Sequence, residues 1–328
     1  MKVLVVGGAG YIGSHMVKML LERDHEVFVL DNLSTGYRDA VLGGVFVQGD
    51  LADSAALDAL FAAHRFDGVM HFASFIQVGE SVRDPAKYYR NNFANTLNLL
   101  DAMRRHAAGH FIFSSTAAIF GEPEYVPIDE QHPKQPINPY GYSKLAVEQI
   151  LADYDRAYGL RSVCLRYFNA AGADPDARIG ERHDPESHLI PLVLQVASGR
   201  GAHIQIFGND YKTPDGTCIR DYIHIVDLCE AHLLALERLR AGAMSARFNL
   251  GNGSGFSVAE VIDTAERVTG MRIARVVAPR RPGDTARLIA DSKLARDELG
   301  WRPRYDDLRT IVAHAWAWEQ KMAARRTS

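Results

Sequence analysis

The segment KVLVVGGAGYIGSHMVKMLLERDHEVFVLDN, which opens the chain, constrains it most, because it reads strand, glycine turn, helix, strand and terminal acid in that order. Gly7, Gly10 and Gly13 supply a tight turn, a close approach of backbone to a pyrophosphate, and close packing of helix on sheet. The N-terminus of the following helix then turns its partial positive charge toward the phosphates. Asp31 stands at the tip of the second strand. Its carboxylate is suited to accept hydrogen bonds from an adenosine ribose and to repel a 2′-phosphate, which favours NAD over NADP.

The remaining pattern fits a doubly wound sheet. After Asp31 come a strand at VFVQGD, a helix around SAALDALFAAH, a buried strand at DGVMHFA and a long helix from about Pro85 to His106. The strand HFIFSST, a proline-rich loop from Pro123 to Pro139, a helix beginning at Tyr140 and the strand SVCLRYFNA follow. Such alternation makes a Rossmann-type, mostly parallel α/β sheet. After Gly172 the loops lengthen and short strands appear at IQIFG and CIRDYIHI. The expected division is a cofactor-binding lobe over residues 1–172 and a smaller substrate lobe over 173–328, with the chain rejoining the first lobe near 220–245. The final RRTS reads as a frayed tail.

Composition narrows the function classes. The chain has 328 residues, 47% of them hydrophobic and 23% charged, enough for a large core and two lobes at most. A net charge of -3 gives no general attraction to nucleic acid or to an anionic membrane, so neither is an expected partner, and an anionic ligand must be held by local arginines. Cys164, Cys218 and Cys229 have no metal-ligand spacing and cannot all pair, which points to a reducing compartment and to no metal. With no signal-peptide layout and no apolar run long enough to span a bilayer, the expected location is the cytoplasm.

Tyr140 and Lys144 carry the chemistry. They lie one helical turn apart in NPYGYSKLAVEQI and share a helix face. A free phenol titrates near pH 10, so its use as a base near neutrality requires favouring phenolate by about 4 kcal/mol, supplied by a neighbouring ammonium and an oxidised nicotinamide ring. That suits alcohol oxidation. Further candidates end sheet strands, where an open α/β sheet places its ligand. Asp50 and Leu51 end the third strand, beside an adenine; Phe72, Ala73 and Ser74 end the fourth; Ser114, Ser115 and Thr116 end the fifth, with a hydroxyl available to a sugar oxygen or to the tyrosine.

These segments, together with GGAGYIGSH, LDNLSTG, HFASFIQVGESV, NNFANTLNLL, FIFSSTAAIFG, LRYFNAAGA, HLIPLVLQVA, IFGNDYKTPDGTCIRDYIHIVDL, FNLGNGSGFSV and RRPGD, match a family in order and spacing nearly end to end. The chain resembles the extended short-chain dehydrogenase/reductases and, within them, the epimerases of UDP-hexoses. The resemblance implies reversible inversion at C4 of UDP-glucose and UDP-galactose through a 4-keto sugar with tightly held NAD. It casts Tyr140 as acid and base, Lys144 as the group that lowers its pKa and binds the nicotinamide ribose, and Thr116 as hydrogen-bonding the oxygen where charge develops. For the cofactor it adds Tyr11, Ile12, Asn32, Thr35, Gly36, Asn91, Tyr167 and Phe168. For the UDP-sugar it adds Asn169, His188, Leu189, Gln205, Ile206, Phe207, Arg220, Tyr222, Arg281 and Asp284, with Arg220 and Arg281 as diphosphate clamps. It also implies a homodimer formed through helices near 92–105 and 140–156.

Departures from the family pattern qualify these expectations. Ile76 replaces a lysine that some epimerases place near the cofactor, so the grip on NAD is expected to be weaker. His188 stands where asparagine is frequent. Leu288 occupies a position whose bulk influences acceptance of N-acetylated sugars. Three rival readings stay open: a sugar-nucleotide 4,6-dehydratase, which lacks its acidic pair because Ala117 and Ala118 follow Thr116; a nucleotide-sugar decarboxylase or another epimerase; and a non-catalytic NAD-binding protein.

Overall fold

A computed structural model describes residues 1–281 and 284–327. In chain order its elements begin β1 Lys2–Val6, α1 Tyr11–Glu22, β2 Glu26–Asp31, β3 Val45–Gln48, α2 Ser54–Ala63, β4 Gly68–His71, α3 Val78–Arg83, α4 Pro85–Tyr88, α5 Asn95–Arg105, β5 His110–Thr116, α6 Pro139–Tyr158, β6 Arg161–Tyr167 and β7 Asn169–Ala171. They continue with α7 Leu189–Ala197, β8 Ile204–Phe207, β9 Ile219–Arg220, β10 Tyr222–His224, α8 Ile225–Arg240, β11 Ala246–Leu250, β12 Phe256–Ser257, α9 Val258–Thr269, β13 Arg275–Ala278, β14 Arg287–Leu288, α10 Lys293–Glu298 and α11 Leu308–Thr327.

Seven parallel strands form the main sheet in the order β11-β6-β5-β4-β1-β2-β3. Its strands are near-continuous apolar runs because helices cover both faces. Alternation along β1 sorts Val3 and Val5 into a core with α1 and α8, and Leu4 and Val6 into a core with α2, α5 and α6. The strand order reverses between β1 and β4, which opens a crevice at the carboxyl ends of those strands. A separate core joins α7, α9 and α11 with Ile204 and Ile206 of β8.

Several boundaries differ from the sequence reading. α8 packs on the β1 side of the main sheet and β11 pairs with β6 at its edge, so residues 225–250 contribute to this layer. The expected helix from Pro85 to His106 is interrupted by a π-helical turn at Tyr89–Ala94, a form that single-sequence periodicity does not distinguish. α11 stays helical through Thr327 instead of fraying at RRTS, and Ser328 lies outside the described residues, as do Pro282 and Gly283 of the RRPGD stretch.

Candidate active site

The glycine turn joins β1 to α1 under tight steric limits. Gly7 has φ 81°, and a Cβ on it would stand 2.5 Å from the Ala73 nitrogen at the end of β4. A Cβ on Gly13 would stand 2.1 Å from the Gly7 carbonyl oxygen, so α1 can approach the turn only without a side chain there. Above Gly10, by contrast, a Cβ would meet only the Gly7 oxygen at 3.4 Å, which leaves backbone open at the helix N-terminus. This is the cradle a dinucleotide pyrophosphate needs, and the residues present fit one.

Asp31 organises the rim of that cradle. One of its oxygens accepts from the Ala9 N–H at 2.9 Å and the other from the Leu33 N–H at 2.8 Å, so the acid is aimed by the loop it serves. Asn32 donates to Asp50 at 2.7 Å, and Asp50 in turn accepts from the Ala52 N–H, which draws the ends of β2 and β3 together. Gly36 lies against Ala9, where a Cβ would approach within 2.8 Å, with Thr35 directly before it. Leu51 is buried in the core, so its side chain is wall rather than ligand. Tyr11, first residue of α1, donates its hydroxyl to the Gly172 carbonyl at 2.7 Å and thereby ties the cradle to the crossover between lobes. Ile12 also packs against the core shared by α1 and α8.

The catalytic candidates converge at the ends of β4, β5 and β6. Asn138 caps α6 by accepting from the Gly141 N–H, and Pro139 fixes its first turn. Tyr140 and Lys144 then project from one face. Lys144 is almost fully buried and donates to the Ser74 hydroxyl at 2.7 Å and to the Ser114 carbonyl at 2.9 Å. Burial pushes its ammonium down to about 7. Ser114 and the Tyr167 hydroxyl bond to each other, with Phe168 packed behind against Ala117, Ile119 and Phe120.

Burial raises the Tyr140 pKa, and the Thr116 hydroxyl offsets part of that rise. The Lys144 ammonium is engaged by Ser74 and the Ser114 carbonyl. Of the three hydroxyls at the end of β5, Ser114 and Thr116 share the site face, while Ser115 points to the other and donates to Glu148 at 2.6 Å.

Sequence reasoning passed over Asn92, next to the proposed Asn91. Buried in the π-helical turn, its side chain accepts from the Phe75 N–H and donates to the Phe75 carbonyl, both at 2.9 Å, and reaches Ser143 of α6 at 3.4 Å. Asn91 itself donates to the Asn92 side chain. Asn92 therefore pins the loop after Phe72 and Ala73 against the catalytic helix. Its signal was available only as a polar residue on a helix face that must be buried. Ile76 lies in the same loop and is exposed.

The expected nucleotide residues divide by strand alternation. In β8, Gln205 and Phe207 share the outer face, whereas Ile206 is core, so only its backbone can meet a ligand. Tyr222 is likewise packed in the second-lobe core. Arg281 stacks its guanidinium 3.8 Å from the Phe207 ring centroid. Arg220 donates to the Ile219 and Thr285 carbonyls at 2.9 Å and pairs with Asp284 at 3.3 Å, an arrangement that holds its remaining donors in one plane. Asn169 donates its amide to the Asp221 carbonyl at 3.0 Å. Leu288 packs against the Ala117–Phe120 turn that follows Thr116. His188 and Leu189 begin α7, and the His188 imidazole is turned to Glu181.

Residues 3–251 match the NAD dependent epimerase/dehydratase family. The chain belongs to that family. It is 54% identical over 321 residues to a UDP-glucose 4-epimerase of Halalkalibacterium halodurans, covering 98% of this chain and 96% of that one. Among solved structures it is similar to the UDP-glucose 4-epimerase of Brucella ovis in complex with NAD, with 50% identity, TM-score 0.94 and coverage of 96% and 97%. The family member from Bifidobacterium longum, in complex with NAD+ and UDP, is 38% identical with TM-score 0.92 over 98% of each chain.

Proposed function

We infer that the protein is an NAD-dependent UDP-glucose 4-epimerase, interconverting UDP-glucose and UDP-galactose by inversion at C4. The observation that carries the reading is the convergence of Tyr140, Thr116 and a buried Lys144 at the strand ends beside a glycine cradle, in a chain about half identical to named epimerases over nearly its whole length. NAD held in the glycine cradle would supply the hydride acceptor, and then the hydride donor, at C4.

Tyr140 takes the 4-hydroxyl proton and later gives it back. Thr116 hydrogen-bonds the sugar oxygen as charge develops. Lys144, held by Ser74 and the Ser114 carbonyl, would bind the nicotinamide ribose and lower the Tyr140 pKa. Arg220 and Arg281 grip the diphosphate, since guanidinium forks match phosphate oxygens. Asp31 selects NAD: calorimetry is expected to show NADP binding at least about tenfold more weakly, as a 2′-phosphate would face a carboxylate. Equal affinities would mean that Asp31 does not meet the ribose.

Ala117 and Ala118 form the turn after Thr116 and offer no acid for elimination of water, which favours epimerisation over 4,6-dehydration. UDP-galactose carrying deuterium at C4 is therefore expected to yield UDP-glucose labelled at the same carbon. Label found mainly at C6, or released with free reduced cofactor, would refute the epimerase reading.

A homodimer through α5 and α6 is part of this reading. Tyr142 and Tyr158 of α6, with Tyr89 and Val82 nearby in sequence to α4, are large side chains left exposed in the single chain. A cytoplasmic setting agrees with Cys164, Cys218 and Cys229, all buried and free. Among the described residues no helix is long and apolar enough to cross a membrane.

A further inference from the structure

The segment before α7 carries a cluster of four side chains with metal-ligating atoms, of which the UDP-sugar set includes only His188. In the stretch GERHDPESHL, Glu181, His183, Glu186 and His188 each turn one donor atom inward, and these four atoms all lie within 4.8 Å of one another. His188 Nδ1 is 2.5 Å from Glu181 Oε1 and 3.6 Å from Glu186 Oε1. His183 Nδ1 is 3.3 Å and 3.6 Å from the same two oxygens. The carboxylates are almost completely sealed, at 5% and 6% side-chain exposure, so water does not solvate them as it would surface acids.

We propose that Glu181, His183, Glu186 and His188 bind one divalent transition-metal ion of the zinc type as a structural site. Tetrahedral zinc with nitrogen and oxygen donors at about 2.0–2.2 Å sets those donors roughly 3.3–3.5 Å apart. Three of the four His–Glu separations stand near that value, the His188–Glu181 pair must open, and all four donors lie within 4.8 Å of one another. Imidazole donors favour zinc and its neighbours over magnesium or calcium, and four protein donors leave the ion closed rather than catalytic.

His–Glu ion pairs hold the four groups together when no ion is present, and the two carboxylates raise the His183 pKa. His183 Nδ1 is shielded from solvent and lies outside hydrogen-bond geometry to either carboxylate, aimed into the cluster as a ligand nitrogen is. The surrounding contacts also orient the donors, as outer contacts do in metal sites. Glu186 Oε1 accepts from the Ser187 and His188 N–H groups at 2.8 and 2.9 Å, the Glu181 carbonyl accepts from Trp318 Nε1 at 2.9 Å, and the His183 ring packs edge-on to Tyr11. One divalent ion entering as two imidazolium protons leave keeps the charge of the cluster unchanged. The ion would lock the segment that joins Gly172 to α7, between Tyr11 of α1 and Trp318 of α11.

The proposal shares His188 with the UDP-sugar set of the epimerase reading, so its test reads metal binding and not turnover. Full-length protein stripped with a chelator is titrated with Zn2+ by calorimetry and with Co2+ by visible absorption. One equivalent per chain is expected, with the intense d–d bands of tetrahedral Co2+ and a rise in Tm of about 3–8 °C on adding zinc. His183→Ala and the nearly isosteric Glu186→Gln should each weaken Zn2+ binding by about 100-fold or more. Should His183→Ala fail to fold, Glu186→Gln and the Co2+ spectrum of the unaltered chain still decide. Absence of saturable binding in the unaltered chain, or binding that Glu186→Gln leaves intact, would overturn the proposal.

Discussion

Tyr140→Phe is expected to lower kcat for UDP-galactose by about 10²–10⁴, equivalent to about 3–5 kcal/mol of transition-state stabilisation, while leaving the fold and NAD binding in place. The ring meets Tyr88 edge-on, with centroids 6.5 Å apart, and phenylalanine preserves that contact. Only the ionisable oxygen beside Thr116 is removed. Burial raises the pKa of this phenol, and the positive charge of oxidised NAD would lower it again. The loss should therefore appear in kcat rather than in cofactor affinity, with native circular dichroism. Turnover within about threefold of the parent at neutral pH would remove Tyr140 from the acid–base role.

The largest stability effect is expected at Glu148→Ala, about 3–5 kcal/mol. Glu148 stands on α6 one turn beyond Lys144, on the face that also presents Tyr140. It accepts from Arg166 Nε at 3.0 Å and Nη2 at 2.6 Å, and from Ser115 at 2.6 Å, with both charged side chains only 2% exposed. Ser115 and Arg166 are register partners on β5 and β6, so this triad bolts the catalytic helix to the two strands that end in Thr116 and Tyr167. Removing the carboxylate strands a guanidinium whose Nη1 is already buried without a partner. The urea midpoint should fall accordingly, and the double replacement Glu148→Leu with Arg166→Met should recover most of it, because no uncompensated charge remains. A single variant within about 1 kcal/mol of the parent would show that water reaches Arg166.

Local patterns read from the residues alone reached far into this protein. The run from Lys2 to Asn32 set the first βαβ unit, because the turn tolerates only glycine at Gly7 and Gly13 and because an acid must end β2 to receive the loop amides. The spacing of Tyr140 and Lys144 put both on one face of α6, and strand alternation made Ser114 and Thr116 neighbours. These are properties of adjacent residues, where backbone sterics and helix or strand period leave few choices.

What required the tertiary structure were partnerships across long separations. That Lys144 donates to Ser74 and the Ser114 carbonyl depends on how β4, β5 and α6 meet. That Ser115 serves Glu148, that Ile206 and Tyr222 turn into the core, and that β11 closes the sheet edge follow from which face each strand buries. Of Glu181, His183, Glu186 and His188, the sequence singled out only His188, through its place in the UDP-sugar set. Only folding brings the four donors within 4.8 Å and seals the two carboxylates from water, because a loop without regular period carries no local rule for where its side chains point.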